Sequence, residues 1–301
     1  GQLEGAWAMT NLASGSSLHT KAIVEKGAIS LFIELLKSPS VQIAELVNAD
    51  CFLFVTVVLK AIWGLGNIAG DTITLRNQII KEGAIEPLIK LLKDCKDDNI
   101  IKQGIWTLSN LCRGKPLPKF ELVYKTINPF AEALKTSNDP EILIDAAWAL
   151  SHLSGDPTKF SLSLEIVIDG KKMRIQLVLD AEVVPSLMKL IPTAPLQLLM
   201  PSVRIIGNIC AGSNEQCDVI GLQNLYSTLP IGGVKAPDFL SILMALLQHE
   251  KRAARKEAVW IMSNLLAGTV NQIELVMNYP GMIQQLFQMC DCKDLEVNSY
   301  Y

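Results

Sequence analysis

The sequence predicts an all-α fold, a right-handed superhelical solenoid of stacked helical repeats. Six segments share one pattern, in four of which Trp is followed four positions later by Asn; Trp148 precedes His152, and Arg204 precedes Asn208. The lead positions are residues 7, 63, 106, 148, 204 and 260, at intervals of 56, 43, 42, 56 and 56 residues. A period of about 42 residues, with three additions of about 14 residues each, accounts for these intervals. No alternating strand pattern recurs at this period.

A second motif keeps the same phase and supports the helical repeat. At residues 25–29, 81–87 and 181–185, a turn ends one apolar segment and starts another. Pro87 and Pro185 suit the first turn of a helix, where no amide donor is needed. Units of two or three helices with this period are typical of the armadillo/HEAT class, and they bury their apolar faces only by stacking. We therefore expect a single armadillo-repeat domain over residues 1–301, truncated at both ends.

The three additions lie near residues 47–60, near residues 159–172 and within residues 222–237. Two interpretations stay open: they are real loop or helix extensions, or they are segments retained through an imperfect gene model. The apolar run at residues 51–55 favours the second interpretation for the first addition, because such a run does not suit a solvated loop.

Composition argues against several classes of protein. A net charge of −3 is not that of a general nucleic-acid binder. The seven cysteines show no zinc-ligand spacing and are expected to be reduced thiols. The longest apolar run is well short of the ~20 residues that span a bilayer. His19, His152 and His249 have no catalytic partners in sequence, and the basic cluster at residues 251–256 is expected to be a solvated helix start. We predict neither enzyme activity nor a cofactor or metal.

The Trp and Asn pairs indicate what the repeats bind. Residues four apart share a helix face, so each repeat would present an indole beside an amide. Indoles one repeat apart form slots for Lys or Arg stems, and Asn can hold the backbone of an extended peptide. Asp71 and Asp145 would select cations. A core position is the alternative for each Trp, but the adjacent Asn would need a polar partner there.

The residues that carry this pattern resemble importin-α (karyopherin-α) over nearly the whole chain, most specifically at residues 6–15, 63–71, 106–113 and 256–264. The resemblance implies a nuclear import adaptor that binds Lys/Arg-rich nuclear-localisation segments. In the family, the most demanding lysine pocket corresponds to Gly15, Thr20 and Asp71. The expected major peptide-binding site comprises Trp7, Asn11, Gly15, Thr20, Trp63, Asn67, Asp71, Trp106, Asn110, Asp145 and Trp148. The expected minor site comprises Arg204, Asn208, Trp260 and Asn264.

Three departures from the family pattern concern these sites: His152 stands where Tyr is usual, and Asn214 and Cys217 replace Asp and Thr of the minor site. The resemblance further implies importin-β binding through a basic N-terminal segment absent here, and export-factor binding through a missing C-terminal end. It implies residence in cytoplasm and nucleus, with no nucleic-acid or membrane partner. An armadillo scaffold that docks another protein ligand in signalling or adhesion is the alternative function.

Overall fold

A computed structural model describes residues 2–37, 49–155, 164–221 and 239–290. Within these ranges all regular secondary structure is helical, as predicted. The helices are α1 (Gln2–Ala13), α2 (Ser17–Glu25), α3 (Ala28–Leu36), α4 (Ala49–Asp71), α5 (Ile73–Lys81), α6 (Ile85–Asp94), α7 (Asp98–Cys112), α8 (Phe120–Val123), α9 (Ile127–Thr136), α10 (Pro140–Ser154), α11 (Leu164–Asp180), α12 (Val183–Leu190), α13 (Leu196–Cys210), α14 (Asn214–Gly221), α15 (Phe239–Leu247), α16 (Arg252–Leu266), α17 (Val270–Met277) and α18 (Met282–Cys290). Single 3₁₀ turns follow α8 and α12.

The helices repeat along the chain as triplets. The first triplet is α2, α3 and α4, and α5–α7, α8–α10, α11–α13 and α14–α16 follow in the same order. The third helix of each triplet carries a lead position, and α1 carries the first one. The period found in the sequence is therefore a unit of three helices.

The third helices bury the side opposite their lead residues. The buried positions are those one residue before, two residues after and five residues after each lead residue. On α4 these are Ile62, Leu65 and Ile68, and each is 0 % exposed. The same three positions are buried on α7, α10, α13 and α16. With 3.6 residues per turn, these positions point away from the lead residue and from the residue four later. The aliphatic core thereby leaves the Trp and Asn positions on the other side.

A left-handed residue starts the second helix of three triplets. Gly27, before α3, has φ 87°, and Gly83, before α6, has φ 85°. Glu182 takes the corresponding place before α12 with φ 57°. Glycine tolerates this conformation because it lacks a Cβ, whereas a left-handed Glu costs roughly 1–2 kcal/mol. The motif that the sequence predicted as a turn is thus this helix-to-helix turn.

The chain forms two compact units, residues 1–153 and 154–301. In the first unit, α1 packs against α4 and α4 against α7; in the second unit, α13 packs against α16. Side-chain hydroxyls tie the third helices together: Thr10 donates to the Lys60 carbonyl at 2.9 Å, and Thr107 donates to the Ile62 carbonyl at 3.0 Å. The single continuous domain expected from the sequence stays a prediction.

The additions to the repeat are helical wherever the structure describes them. Residues 49–60 form the first half of α4, in which Val57 and Val58 are 4 % and 0 % exposed. Helix α7 begins eight residues before Trp106, so residues 55–60 occupy the regular positions before Trp63. Residues 164–172 begin α11, and residues 222–237 lie outside the described residues. Only residues 49–54 therefore extend α4 beyond the length of α7 before the lead position, and both interpretations of the additions stay open.

Small side chains let the third helices approach each other. The residue three after each lead position is Thr10, Gly66, Ser109, Ser151, Gly207 or Ser263. A Cβ on Gly66 would clash with the indole of Trp106, and a Cβ on Gly207 would clash with the indole of Trp260. Each of these indoles therefore lies against the backbone of the preceding third helix, which fixes its position.

We expect Gly66→Ala to destabilise the first unit by about 1–3 kcal/mol, because the added methyl must displace the Trp106 ring from a packed position. Gly5→Ala in α1 is the matched control, since nothing lies within 4 Å of a Cβ there. It should leave stability unchanged or raise it by up to about 1 kcal/mol through helix propensity. Chemical denaturation of both variants measures the difference. Equal stability of the two variants would contradict the close indole contact.

Candidate peptide-binding surface

The indole face is the side of the third helices that carries each lead residue and the residue four later. In the first unit, Trp7, Trp148 and Trp63 are 50 %, 42 % and 37 % exposed on this face, and Trp106 is half-buried. Exposed indoles are costly unless something covers them. The alternative of a core position does not hold for the three exposed indoles.

Two of these indoles flank a cation. The Lys60 ammonium lies 4.5 Å from the ring centroid of Trp7 and 4.7 Å from that of Trp63. Both distances are within cation–π range, for which estimates run from about 0.5 kcal/mol at exposed sites to about 2 kcal/mol when desolvated. The space between Trp7 and Trp63 therefore accommodates a lysine ammonium; that such slots take the Lys or Arg stems of a peptide stays a prediction.

The asparagines on the indole face differ in what they can still bind. Asn11 is exposed, and the buried amide nitrogen of Asn67 has no hydrogen-bond partner among the described residues. Asn110 is 2 % exposed and donates to the Gly66 carbonyl at 3.1 Å. Asn208, also buried, donates to the Ser154 hydroxyl at 2.9 Å. The asparagines therefore differ in exposure: Asn110 and Asn208 are buried, and the amide nitrogen of each already donates one hydrogen bond within the protein.

In the structure, Thr20 does not lie beside Asp71 as expected for the lysine pocket. Thr20 is 1 % exposed, and its hydroxyl donates to the Ala13 carbonyl at 3.3 Å. Ser17, at the start of α2, instead donates to Asp71 at 2.5 Å across the gap between the two helices. Gly15 lies in the turn between α1 and α2, where a Cβ would come within 2.6 Å of the His19 ring. The hydroxyl beside Asp71 is thus that of Ser17.

Asp145 is the most perturbed carboxylate of the indole face. Burial, and then the negative charge of Glu141, raise the pKa of Asp145 to about 6, against the lowering influence of Arg113 and Lys102. Lys102 is held at 3.2 Å from Asp139 and 2.9 Å from Glu141, so it is not committed to Asp145. A partly buried carboxylate of this kind is stabilised by an added cation.

In the second unit, Arg204 does not stand free as a substitute for Trp. Its guanidinium forms a bidentate ion pair with Glu257, with Nε 2.7 Å from Oε2, and lies 5.6 Å from the Trp260 ring centroid. Glu257 is 7 % exposed, so Arg204 also neutralises a buried charge. The half-buried Asn264 has an amide nitrogen without a hydrogen-bond partner among the described residues.

The three departures from the family pattern have distinct environments. The His152 ring stacks on Trp148 with centroids 6.0 Å apart. Cys217 is buried beside Cys210, and this contact lowers the pKa of the Cys217 thiol while raising that of Cys210. Asn214 begins α14, and its carbonyl accepts a hydrogen bond from Gln272 at 3.1 Å.

Sequence reasoning missed Lys60, Ser17 and Glu257. Lys60 and Glu257 lie three residues before Trp63 and Trp260, as Asp145 lies three before Trp148. The rule that selected Asp145 would therefore have found both. Ser17 has no such signal, because only the approach of α2 to the end of α4 brings it to Asp71.

Neither a metal site nor a membrane span is found in the described part of the chain. Its His, Cys, Asp and Glu residues form no group of three or more that could hold a metal ion. Of the described helices, none is both long and apolar enough to cross a bilayer.

Comparison with known proteins identifies the repeats. Residues 75–113 and 118–155 match the family model of the armadillo/beta-catenin-like repeat. Importin subunit alpha-5 of Arabidopsis thaliana is 38 % identical over 98 % of this chain and 57 % of its own length. Importin subunit alpha-1b of Oryza sativa subsp. japonica is 35 % identical over 86 % of this chain and 41 % of its own length. The chain spans about half the length of these curated relatives.

Solved structures share the fold at low identity. An engineered protein matches 98 % of this chain and 72 % of its own length, with a TM-score of 0.68 and 23 % identity. A designed armadillo repeat protein, solved in complex with the peptide (KR)4, matches 89 % of this chain and 94 % of its own length, with a TM-score of 0.64 and 22 % identity. These likenesses show the fold alone. The chain is thus an armadillo-repeat protein and a relative of the importin-α subunits.

Proposed function

We propose that this chain is the cargo-binding part of a nuclear import adaptor, which holds Lys/Arg-rich nuclear-localisation segments of other proteins along its indole face. The observation that carries the proposal is the lysine ammonium between Trp7 and Trp63. Two indoles that already accommodate a lysine of this chain have the spacing and chemistry for a lysine of a peptide. The similarity to importin subunits alpha supports the adaptor role.

The major site would lie on the first unit. Asn67 offers a buried amide nitrogen with no partner among the described residues, and a peptide carbonyl would satisfy it. Asp71 and Asp145 supply negative charge on the same helices as Trp63 and Trp148. The Asn67 amide would hold the backbone of a bound peptide. The cationic side chains of that peptide would lie between the indoles and near the carboxylates of Asp71 and Asp145.

The minor site would lie on the second unit, around Trp260 and Asn264. Asn264 has the same unpartnered amide nitrogen as Asn67. Glu257 is already neutralised by Arg204, so it does not attract a cationic side chain of a peptide. We therefore propose weaker binding of basic peptides here than on the first unit.

In the whole protein, we propose that importin-β engages a basic N-terminal segment and that an export factor engages the C-terminal end. The protein would carry its cargo between cytoplasm and nucleus and would catalyse no reaction. These proposals rest on the relatives, of whose length this chain spans about half.

A scaffold that docks an acidic protein ligand is the second candidate. Lys60 and Arg204 favour it, because both put a cation on the indole face. A charge-reversed peptide separates the two candidates: the adaptor prefers the Lys-rich peptide, and the scaffold prefers its Glu-rich counterpart.

We expect Asp71→Lys to weaken binding of a Lys-rich peptide by at least about 30-fold, because it replaces an attracting carboxylate with a repelling ammonium. Peptide titration at moderate ionic strength measures the change. Lys251→Ala is the control, since Lys251 is exposed and pairs only with exposed Glu250 among the described residues. It should leave affinity unchanged. If Asp71→Lys binds the peptide as tightly as the parent, the indole face is not the cargo site.

Cargo binding should also depend on pH through Asp145. The raised pKa, about 6, means that Asp145 is largely protonated below that pH and charged above it. A bound cation favours the charged form, so affinity for a Lys-rich peptide should rise by up to about tenfold between about pH 5 and pH 7. Peptide lysines stay charged throughout.

Asp145→Asn is the matched variant for this pH dependence. It should lower affinity at pH 7 and flatten the rise. Titrations of parent and variant at several pH values provide the comparison. A slope that persists in Asp145→Asn would assign the pH dependence to another group.

A further inference from the structure

We infer that Lys60 is a built-in competitor for cargo, whose ammonium fills the slot between Trp7 and Trp63 and must be displaced before a peptide cation can enter. This inference rests on the proposed function, since it concerns the occupancy of the same surface. It adds a residue that regulates the affinity of one slot, which the sequence resemblance does not include.

The backbone fixes where this lysine reaches. The Thr10 hydroxyl shares its one hydrogen between the Lys60 carbonyl at 2.9 Å and the Ala6 carbonyl at 2.8 Å. Thr10 lies one turn after Trp7 on α1, and Lys60 lies one turn before Trp63 on α4. This buried hydroxyl therefore ties the start of the lysine side chain to the helix that carries one indole, while α4 carries the other.

The chemistry of the slot allows one cation. Each indole face attracts an ammonium, and the two rings already approach the same nitrogen from either side. A second ammonium would meet both an occupied space and a like charge. A peptide lysine consequently gains from this slot only the difference between its own contacts and those that Lys60 loses.

The charge at this position differs from that in other repeats. Three residues before the lead position stand Glu4 on α1, Gln103 on α7, Asp145 on α10, Pro201 on α13 and Glu257 on α16, whereas α4 has Lys60. Lys60 is thus the only basic residue at this position, and it places a cation of the protein itself in the slot. The slot between Trp7 and Trp63 is therefore less available to a basic peptide, and Lys60 is the cause.

The test uses the full chain and a Lys-rich peptide, with the Glu-rich peptide as reference. Lys60→Gln and Lys60→Met remove the ammonium, shorten the side chain by only one atom, and keep the Thr10 contact, which is to backbone. We expect both variants to bind the Lys-rich peptide about five- to tenfold more tightly than the parent. Lys21→Gln is the matched control, because it makes the same charge change at an exposed lysine paired with Glu25.

A double-mutant cycle locates the effect in the slot. In a Trp7→Ala background, Lys60→Gln should give less than a twofold gain, because the slot has lost one wall. Equal affinity of the parent and both Lys60 variants would overturn the inference and leave the proposed function standing. A gain as large in Lys21→Gln would also overturn it, since general charge would then be the cause. If neither the parent nor the variants prefer the Lys-rich peptide, the proposed function falls and the inference with it.

Discussion

Within each unit, the close approach of neighbouring lead-bearing helices, allowed by the small residue three after each lead position, is the constraint on which the indole face depends. Trp106 lies against Gly66 in the first unit, and Trp260 lies against Gly207 in the second. The same approach lets Thr107 and Asn110 reach carbonyls on α4. The aliphatic positions on the other side of these helices fill the core, and Trp7, Trp63 and Trp148 remain exposed.

Charged residues three before the lead position differ in their surroundings on α4, α10 and α16. Lys60 stands between two indoles, Asp145 has a pKa raised by burial, and Glu257 is neutralised by Arg204. The same repeat position therefore has three roles: Lys60 would compete with a peptide cation, Asp145 would attract one, and Glu257 is already paired with Arg204. A repeat fold makes such variation simple, since each repeat contacts only its neighbours and a surface side chain can change without repacking the core.

The repeat period, the helical class and the exposed side of the third helices could be predicted from sequence, because all three follow from the spacing of apolar residues and Trp. The partners of individual side chains could not. Asn110 and Asn67 occupy the same repeat position, yet only Asn110 meets a carbonyl, that of Gly66. Thr20 was expected beside Asp71, but the packing of α2 buries it and presents Ser17. Such pairings depend on contacts between helices, which a spacing rule does not contain.

The central claim is the proposal that the indoles of the first unit form a surface for basic peptides. Nitrogen-resolved NMR of the five indole N–H groups, recorded during titration with a Lys-rich peptide, tests it most directly. The account predicts that the signals of Trp63 and Trp106 and the side-chain amide signal of Asn67 shift together and saturate at one peptide concentration, and that the Glu-rich peptide leaves them in place. Binding that leaves these signals unmoved, or equal shifts with both peptides, would contradict the account.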